Sequence, residues 1–259
     1  MGELDSLLPN GRGVWIPIDH GVSDYPVQGL ENLESLIQEL SQANADAIVA
    51  QKGVVSRFGD LHQGHMVAHL SVSTRHAGDD STNKVLVGTV EESTRRGAAG
   101  VSVQVNMGSP NEAAMIERLG IVSNDCHRLN VPLLGMIYPR GENLNIMPDD
   151  DTRAISHAAR LAFEMGCDVV KTQWTGDASS FAKVCKSVPI PVLIAGGPPG
   201  ASIEETLSIV YQAVKAGGAG VCMGRQVFSN EHPGRMVKAL RAIVHDGLEV
   251  SDAIKIAGL

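Results

Sequence analysis

Aromatic side chains are scarce, 3% of the chain against 43% hydrophobic residues overall, so a large core here has to be aliphatic. Small and branched residues of that kind fill barrel interiors well. Cysteine is sparse too. Cys126, Cys167, Cys185 and Cys222 show no C-x-x-C spacing, and two of them sit inside apolar strand-like runs, so they read as reduced, packed thiols of a cytoplasmic protein. No stretch of about 18 apolar residues occurs, and Met1 leads into Gly-Glu-Leu-Asp without a basic region, so neither a membrane span nor an export leader is expected. Basic clusters are absent: 21 Lys+Arg against 29 Asp+Glu give a net charge of −8, which argues against a nucleic-acid partner. Low-complexity tracts and Pro/Ser-rich linkers are also missing. All 259 residues are therefore expected to form one domain, at a length ordinary for an α/β barrel.

What is present is a repeated phrase. Ala43-Asn-Ala-Asp-Ala-Ile-Val-Ala, Gly97-Ala-Ala-Gly-Val-Ser-Val, Gly166-Cys-Asp-Val-Val-Lys and Gly217-Gly-Ala-Gly-Val-Cys-Met each follow a stretch with apolar residues at helical spacing. Those stretches run over 30–41, 90–96, 151–165 and 203–216, with acidic residues near their starts. The unit is a helix, a small-residue cap and a buried strand. Further strands are expected over 14–18, 65–71, 132–138 and 191–195, which makes about eight parallel strands separated by helices, the count of a (β/α)8 TIM barrel. An open doubly wound sheet is the alternative, but Ile16-Pro-Ile-Asp-His-Gly-Val lacks the G-x-G-x-x-G turn of a dinucleotide fold. Segments 58–64 and 74–84, rich in Gly, Ser, Asp and Asn, read as loops with little helix.

Lys171 lies in the apolar run Gly166-Cys-Asp-Val-Val-Lys-Thr-Gln-Trp174. A buried ammonium must find a counter-charge or lose its proton from a pKa near 10.4. A neutral, walled-in amine is a nucleophile for carbonyl carbon and forms Schiff bases. The plain alternative is a lysine at a strand end that snorkels to solvent. In a barrel the strand carboxyl ends share one face, and Asp19 and Tyr138 fall at such ends too. Either could be structural, Asp19 as a turn residue before His20-Gly21 and Tyr138 as a packed aromatic before Pro139. Together the three suit imine chemistry, with one amine to attack and two groups to move protons. Gly196-Gly197 after the seventh strand and Gly224-Arg225 after the eighth occupy the corners where barrels hold phosphate, while no Walker sequence is present.

His62, His65 and His69 form H-x-x-H-x-x-x-H, a spacing that could serve zinc on a helix. The segment reads as strand, however, and no carboxylate or cysteine stands at ligand spacing, so neither a metal nor another cofactor is expected. Asp149-Asp150-Asp151 reads as a helix start.

The ordered motifs Ile16-Pro-Ile-Asp-His-Gly-Val, Gln51-Lys-Gly-Val-Val, Val101-Ser-Val-Gln-Val-Asn-Met-Gly-Ser, Met136-Ile-Tyr-Pro-Arg-Gly, Val170-Lys-Thr, Thr175-Gly-Asp, Ala195-Gly-Gly-Pro and Met223-Gly-Arg resemble the archaeal-type class I fructose-bisphosphate aldolase family. Within it they are most similar to the branch of 2-amino-3,7-dideoxy-D-threo-hept-6-ulosonate synthases. The resemblance is collinear from about Gly13 to the C-terminus. It implies a Schiff-base lysine at Lys171, a proton donor and acceptor at Tyr138 and a second acid/base at Asp19. The implied reaction passes an enamine from a ketose phosphate to aspartate semialdehyde. Relatives that join dihydroxyacetone phosphate to aspartate semialdehyde, and the fructose-bisphosphate aldolases themselves, are the alternatives. Met136 replaces the tryptophan of the latter. The family's usual histidines are Gln51 and Gln104 here, which removes two groups that titrate near neutrality but keeps hydrogen bonding. Gln51, Gln104 and Arg140 are thus expected to touch the acceptor. The resemblance also implies a homo-oligomer.

Overall fold

The computed structural model describes residues 3–146, 151–197 and 200–259. Eight parallel strands close into a barrel: β1 (Gly13–Pro17), β2 (Ala47–Ala50), β3 (His65–His69), β4 (Gly100–Met107), β5 (Leu133–Pro139), β6 (Val169–Thr172), β7 (Val192–Ile194) and β8 (Gly220–Cys222). Each pairs with its sequence neighbours, and β1 pairs with β8 through Gly13↔Gly220, Val14↔Val221 and Trp15↔Cys222. That last ladder closes the barrel and excludes the open sheet.

In chain order the helices are α1 (Glu3–Leu7), α2 (Leu33–Gln42), α3 (Lys52–Phe58), α4 (Val90–Arg95), α5 (Glu112–Leu129), α6 (Asp151–Glu164), α7 (Ala178–Lys186), α8 (Ile203–Lys215), α9 (Arg225–Phe228), α10 (Pro233–Val244) and α11 (Val250–Ala257). Their starts are chemically marked. Asn32 accepts from Ser35 N–H ahead of α2, Thr89 accepts from Glu92 N–H ahead of α4, and Ser202 forms a capping box with Glu205 ahead of α8. The Thr175-Gly-Asp motif resolves in the same way, since Asp177 caps α7 by accepting from Ser179 and Ser180 N–H. Asp151 opens α6; Asp149 and Asp150 lie outside the described residues. No described helix is long and apolar enough to cross a membrane.

The repeated phrase has a backbone cause. Asn44, Gly97, Gly166 and Gly217 all have positive φ, from 61° to 106°, and each stands three residues before its strand. That left-handed turn ends a helix and re-aims the chain into the barrel, which is why glycine or asparagine stands there. In two of the four units the next position but one is aspartate. Asp46 Oδ2 accepts from Val14 N–H (2.7 Å) and Asp168 Oδ2 accepts from Leu133 N–H (2.8 Å), so each carboxylate pins the start of a neighbouring strand.

Two apolar clusters result. One fills the layer between strands and helices, and the other fills the barrel with Trp15, Ala47, Val49, Val67, Leu134, Met136, Val169 and Leu193. Leu7 and Leu8 close the amino end of the barrel below Trp15, whose indole N–H donates to the Leu7 carbonyl (2.8 Å). The upper end stays open. Segment 74–84 departs from the expected loop in that Arg75–Thr82 winds as 3-10 turns broken at Gly78, and Ser71–Val72 and Val85–Leu86 on either side of it pair antiparallel.

Candidate active site

Strand register assembles the site. Met136 of β5 pairs with Lys171 of β6, so both point into the barrel, and Tyr138 follows two residues later on the same face. Asp19 enters from a 3-10 turn just after β1, and Cys222 ends β8. His69 ends β3 in register with Ser102 of β4. Asp19, His69, Tyr138, Lys171 and Cys222 all line one cavity of about 630 Å³ at the carboxyl end of the strands. Lys171 is 7% exposed and Tyr138 8%, and the amine interacts electrostatically with the Tyr138 hydroxyl and the Cys222 thiol.

The protonation of Lys171 departs from expectation. Burial pulls the amine toward its neutral form, but Cys222, Tyr138 and Asp19 outweigh it and hold the pKa above the ordinary lysine value. Burial raises Tyr138 above the usual phenol and pushes Cys222 up to about 11, so both are neutral near pH 7. Asp19 is the anion. Burial alone would raise its pKa, yet His69, His20 and Lys171 together hold it below the usual carboxylate. The raised value makes Lys171 an ammonium in the resting site rather than the uncharged amine expected from burial; Asp19 acts on it through space, its own close contacts being with His20 and His69.

His69 sits between two partners. Its Nδ1 lies 2.8 Å from Ser102 Oγ and its Nε2 lies 3.7 Å from Asp19 Oδ2. Burial pushes it down to about 4, so it is neutral near pH 7. His65 stands at the opposite end of the same strand, four residues or about 13 Å away, and His62 is buried with neither ring nitrogen hydrogen-bonded. The three histidines therefore do not converge. Among the described residues no group of three His, Cys, Asp or Glu side chains is placed to hold a metal ion.

The glycine corners lie on the same cavity, as does Arg225. Gly224 permits a close approach of chain to chain, because a Cβ there would meet the Pro17 carbonyl at 2.5 Å. The side chain of Gln226 packs against Gly196 and donates to the Gly197 carbonyl (2.9 Å), which ties the two corners together. Pro198 and Pro199 lie outside the described residues.

The three acceptor positions separate. Gln104 is buried on the cavity wall, where its amide donates to Asn106 Oδ1 (2.8 Å). Arg140 also lines the cavity, stacking over Tyr138 at 4.3 Å and donating from Nε to the same Asn106 oxygen (2.9 Å). Gln51 does not line it; it stands just before α3 with its amide 3.5 Å from the Ser71 carbonyl. β2 ends at Ala50, so Gln51 stands at the mouth of that strand next to Ser71 rather than on the cavity wall with Gln104 and Arg140. Sequence reasoning missed His69, Cys222 and Lys84 as cavity residues. Strand alternation was a usable signal for His69, whereas Lys84 lies in a polar segment that carried none.

Residues 14–230 match the DeoC/LacD family aldolases. The chain is 40% identical over 261 residues to the 2-amino-3,7-dideoxy-D-threo-hept-6-ulosonate synthase of Halobacterium salinarum, covering 99% of this chain and 96% of that one. It is 38% identical over 235 residues to the 2-amino-4,5-dihydroxy-6-oxo-7-(phosphonooxy)heptanoate synthase of Streptomyces griseus, covering 89% and 84%. A Schiff base-forming fructose-1,6-bisphosphate aldolase has a similar structure, with a TM-score of 0.84 at 26% identity over 94% of this chain and 98% of that one. A barrel closed in sequence order, a buried lysine on its sixth strand and these likenesses agree, and the chain belongs to the DeoC/LacD family of aldolases.

Proposed function

We propose that this protein is a lysine-imine aldolase that transfers a donor enamine to aspartate semialdehyde, as the name of its Halobacterium relative suggests. The observation that carries the proposal is the convergence of Lys171 of β6, Tyr138 of β5 and Asp19 of the turn after β1 on one cavity. The donor's phosphate is held by backbone N–H groups at Gly196, Gly197 and Gly224 and by the Arg225 guanidinium. Asp19, the anion of the three, takes a proton from Lys171, whose free amine adds to the donor ketone to give a carbinolamine. The carbinolamine hydroxyl then leaves as water, and an imine carrying the lysine nitrogen remains.

The protonated imine draws electrons from the adjacent carbon-carbon bond. The hydroxyl on the departing fragment gives its proton to the Asp19 carboxylate as that bond breaks, the fragment leaves as an aldehyde, and an enamine is left on the lysine nitrogen. The enamine carbon attacks the acceptor aldehyde carbon, the new alkoxide takes the proton back, and water hydrolyses the imine to release product and lysine. Gln104 and Arg140 border the acceptor. The chain works as one barrel unit in a reducing cytoplasm, its four cysteines being free thiols, and assembles as a homo-oligomer.

The Streptomyces relative supports a second reading, in which dihydroxyacetone phosphate is the donor and the imine loses a proton rather than a carbon fragment; that relative's product name carries the phosphate. Borohydride reduction followed by intact-mass measurement separates the readings. Dihydroxyacetone phosphate, fructose 1,6-bisphosphate and a 6-deoxy-5-ketofructose phosphate are offered separately, and the mass of the adduct on Lys171 identifies the donor. Absence of any adduct with all three would overturn the imine mechanism.

A further inference from the structure

Behind the cavity wall lies a carboxamide that no step of the proposed reaction uses. Asn106 of β4 is 3% exposed, does not line the cavity and pairs in register with Tyr138 of β5. Its Oδ1 accepts from Gln104 Nε2 (2.8 Å) and from Arg140 Nε (2.9 Å), and its Nδ2 donates to the Thr82 carbonyl (2.6 Å). Two donors on one side and a carbonyl on the other admit one orientation of the amide. Aspartate has no donor for the Thr82 carbonyl, and leucine, of similar shape, has neither group. Arg140 in turn lies over the Tyr138 ring, 4.3 Å from its centre. We propose that Asn106 is a positioning residue for the imine chemistry: it fixes the Arg140 guanidinium on the face of the Tyr138 ring, where the cation steadies the phenolate left when the phenol gives up its proton.

The inference rests on the lysine-imine reading of this cavity. Water departs from the carbinolamine only as its hydroxyl gains a proton. The Tyr138 phenol gives that proton, the C–O bond breaks, the nitrogen lone pair forms the C=N bond, and a phenolate remains. Asp19, which holds the proton taken from Lys171, passes it to the phenolate and is a carboxylate again. Burial is the largest influence on Tyr138 and opposes the phenolate; Lys171 of β6 and Arg140 favour it, and Cys222 of β8 opposes it. Asp19, Asp24, His20, His69, Lys84 and Arg225 share the cavity. A cation over the ring face is attracted to a neutral phenol and more strongly to its anion. Because Arg140 is anchored from behind the wall, a substitution at Asn106 reaches Tyr138 without removing a group that lines the cavity.

The full chain labelled with meta-fluorotyrosine tests this. Its tyrosines are Tyr25, Tyr138 and Tyr211, and the fluorine resonance lost in Tyr138→Phe is that of Tyr138. Asn106→Leu is expected to raise the pH midpoint of this resonance by about half a unit or more. It should also slow the build-up of the borohydride-trapped adduct by about tenfold, measured with whichever of the three donors above traps in the wild type, while the final yield of adduct is kept. Arg140→Met should do the same, and the double variant should go no further than Arg140→Met alone, since the two residues act as one unit. Additive effects, an unmoved midpoint or unslowed trapping in Asn106→Leu would each reduce Asn106 to a packing residue and overturn the proposal. Asn106→Ser, which leaves room for water at the lost amide, takes the place of the leucine variant in the same cycle if that protein does not fold. Failure of trapping with all three donors in the wild type would remove the imine mechanism, and the fluorine titration would still decide whether Asn106 acts on Tyr138 through Arg140.

Discussion

His69 lies between Ser102 and Asp19, with one ring nitrogen 2.8 Å from the serine hydroxyl and the other 3.7 Å from the carboxylate. It is 3% exposed and cannot itself reach bulk solvent. Its ring lies beside the Asp19 carboxylate, and it depresses the pKa of that carboxyl when the ring is protonated. His69→Leu is expected to lower kcat/KM by about 10- to 100-fold, within the usual range for groups that support acid–base catalysis. The acid limb of the pH–rate profile should move to higher pH, because Asp19 loses one of the neighbours that depress its pKa. His69→Gln, which can still hydrogen-bond, should recover part of both effects. An unshifted acid limb in the leucine variant would leave His69 a packing residue only.

Asp19 acts on Lys171 through space within one cavity, so removing the amine takes one compensating charge from a carboxylate. Lys171→Met should abolish the borohydride adduct and lower stability at pH 7.5 by about 1–3 kcal/mol. Adding Asp19→Asn to Lys171→Met should return part of that loss, and urea unfolding of the two single variants and the double variant measures the coupling. A methionine variant as stable as the wild type would show that the pair carries no mutual stabilisation.

Two buried histidines make the fold sensitive to mild acid. Burial pushes His62 and His69 each down to about 4 from an unfolded value of 6.5. Between those values the unfolded chain binds more protons than the native one, so stability falls as pH drops from 6.5 toward 4 and levels off below that. Each histidine can account for up to roughly 3 kcal/mol over this window. His62 is the informative one to change, since neither ring nitrogen has a hydrogen-bond partner. His62→Leu should flatten the dependence while leaving stability at pH 7.5 equal or higher, as chemical unfolding at pH 7.5, 6, 5 and 4.5 would reveal. A slope unchanged by the substitution would move the cause elsewhere.

Asp46 joins four parts of the barrel's amino end. It accepts from Val14 N–H (2.7 Å), contacts His245 Nε2 (2.7 Å) and meets Arg241 Nη1 (2.8 Å). Burial alone would raise its pKa, but these hydrogen bonds outweigh it and hold the carboxyl below the usual value. Asp46→Ala leaves a strand N–H, the Arg241 guanidinium and the His245 ring without this acceptor. It should cost about 2–4 kcal/mol in urea unfolding while donor trapping at Lys171 persists, because the cavity lies at the other end of the strands.

Much of the architecture was legible from local pattern. The phrase around Asn44, Gly97, Gly166 and Gly217 marks one repeated event, a left-handed turn that hands a helix over to a strand, and counting those events leads to the barrel. The same count puts Asp19, Tyr138 and Lys171 at strand ends that share a face. Segment 74–84 was less readable: its polar residues signal the absence of a core-facing stripe, but 3-10 turns held by Asn106 and Arg118 depend on side chains that follow later in the chain. The position of Gln51 was unreadable for a related reason, since β2 stops at Ala50 and no alternation rule predicts where a short strand stops.

The amino-acid order alone determined the alternation of strands and helices, the residues that terminate each helix and the strand ends on which an amine, a phenol and a carboxylate would appear. Those properties follow from φ preferences and from the burial of neighbours a few residues apart. The charge state of Lys171, the capture of His69 by Asp19 and the arrival of Lys84 at the cavity were decided only when β1 paired with β8 and the barrel closed. Desolvation and Coulomb interactions depend on distance through space, and the groups that govern Lys171 come from positions 19, 138 and 222.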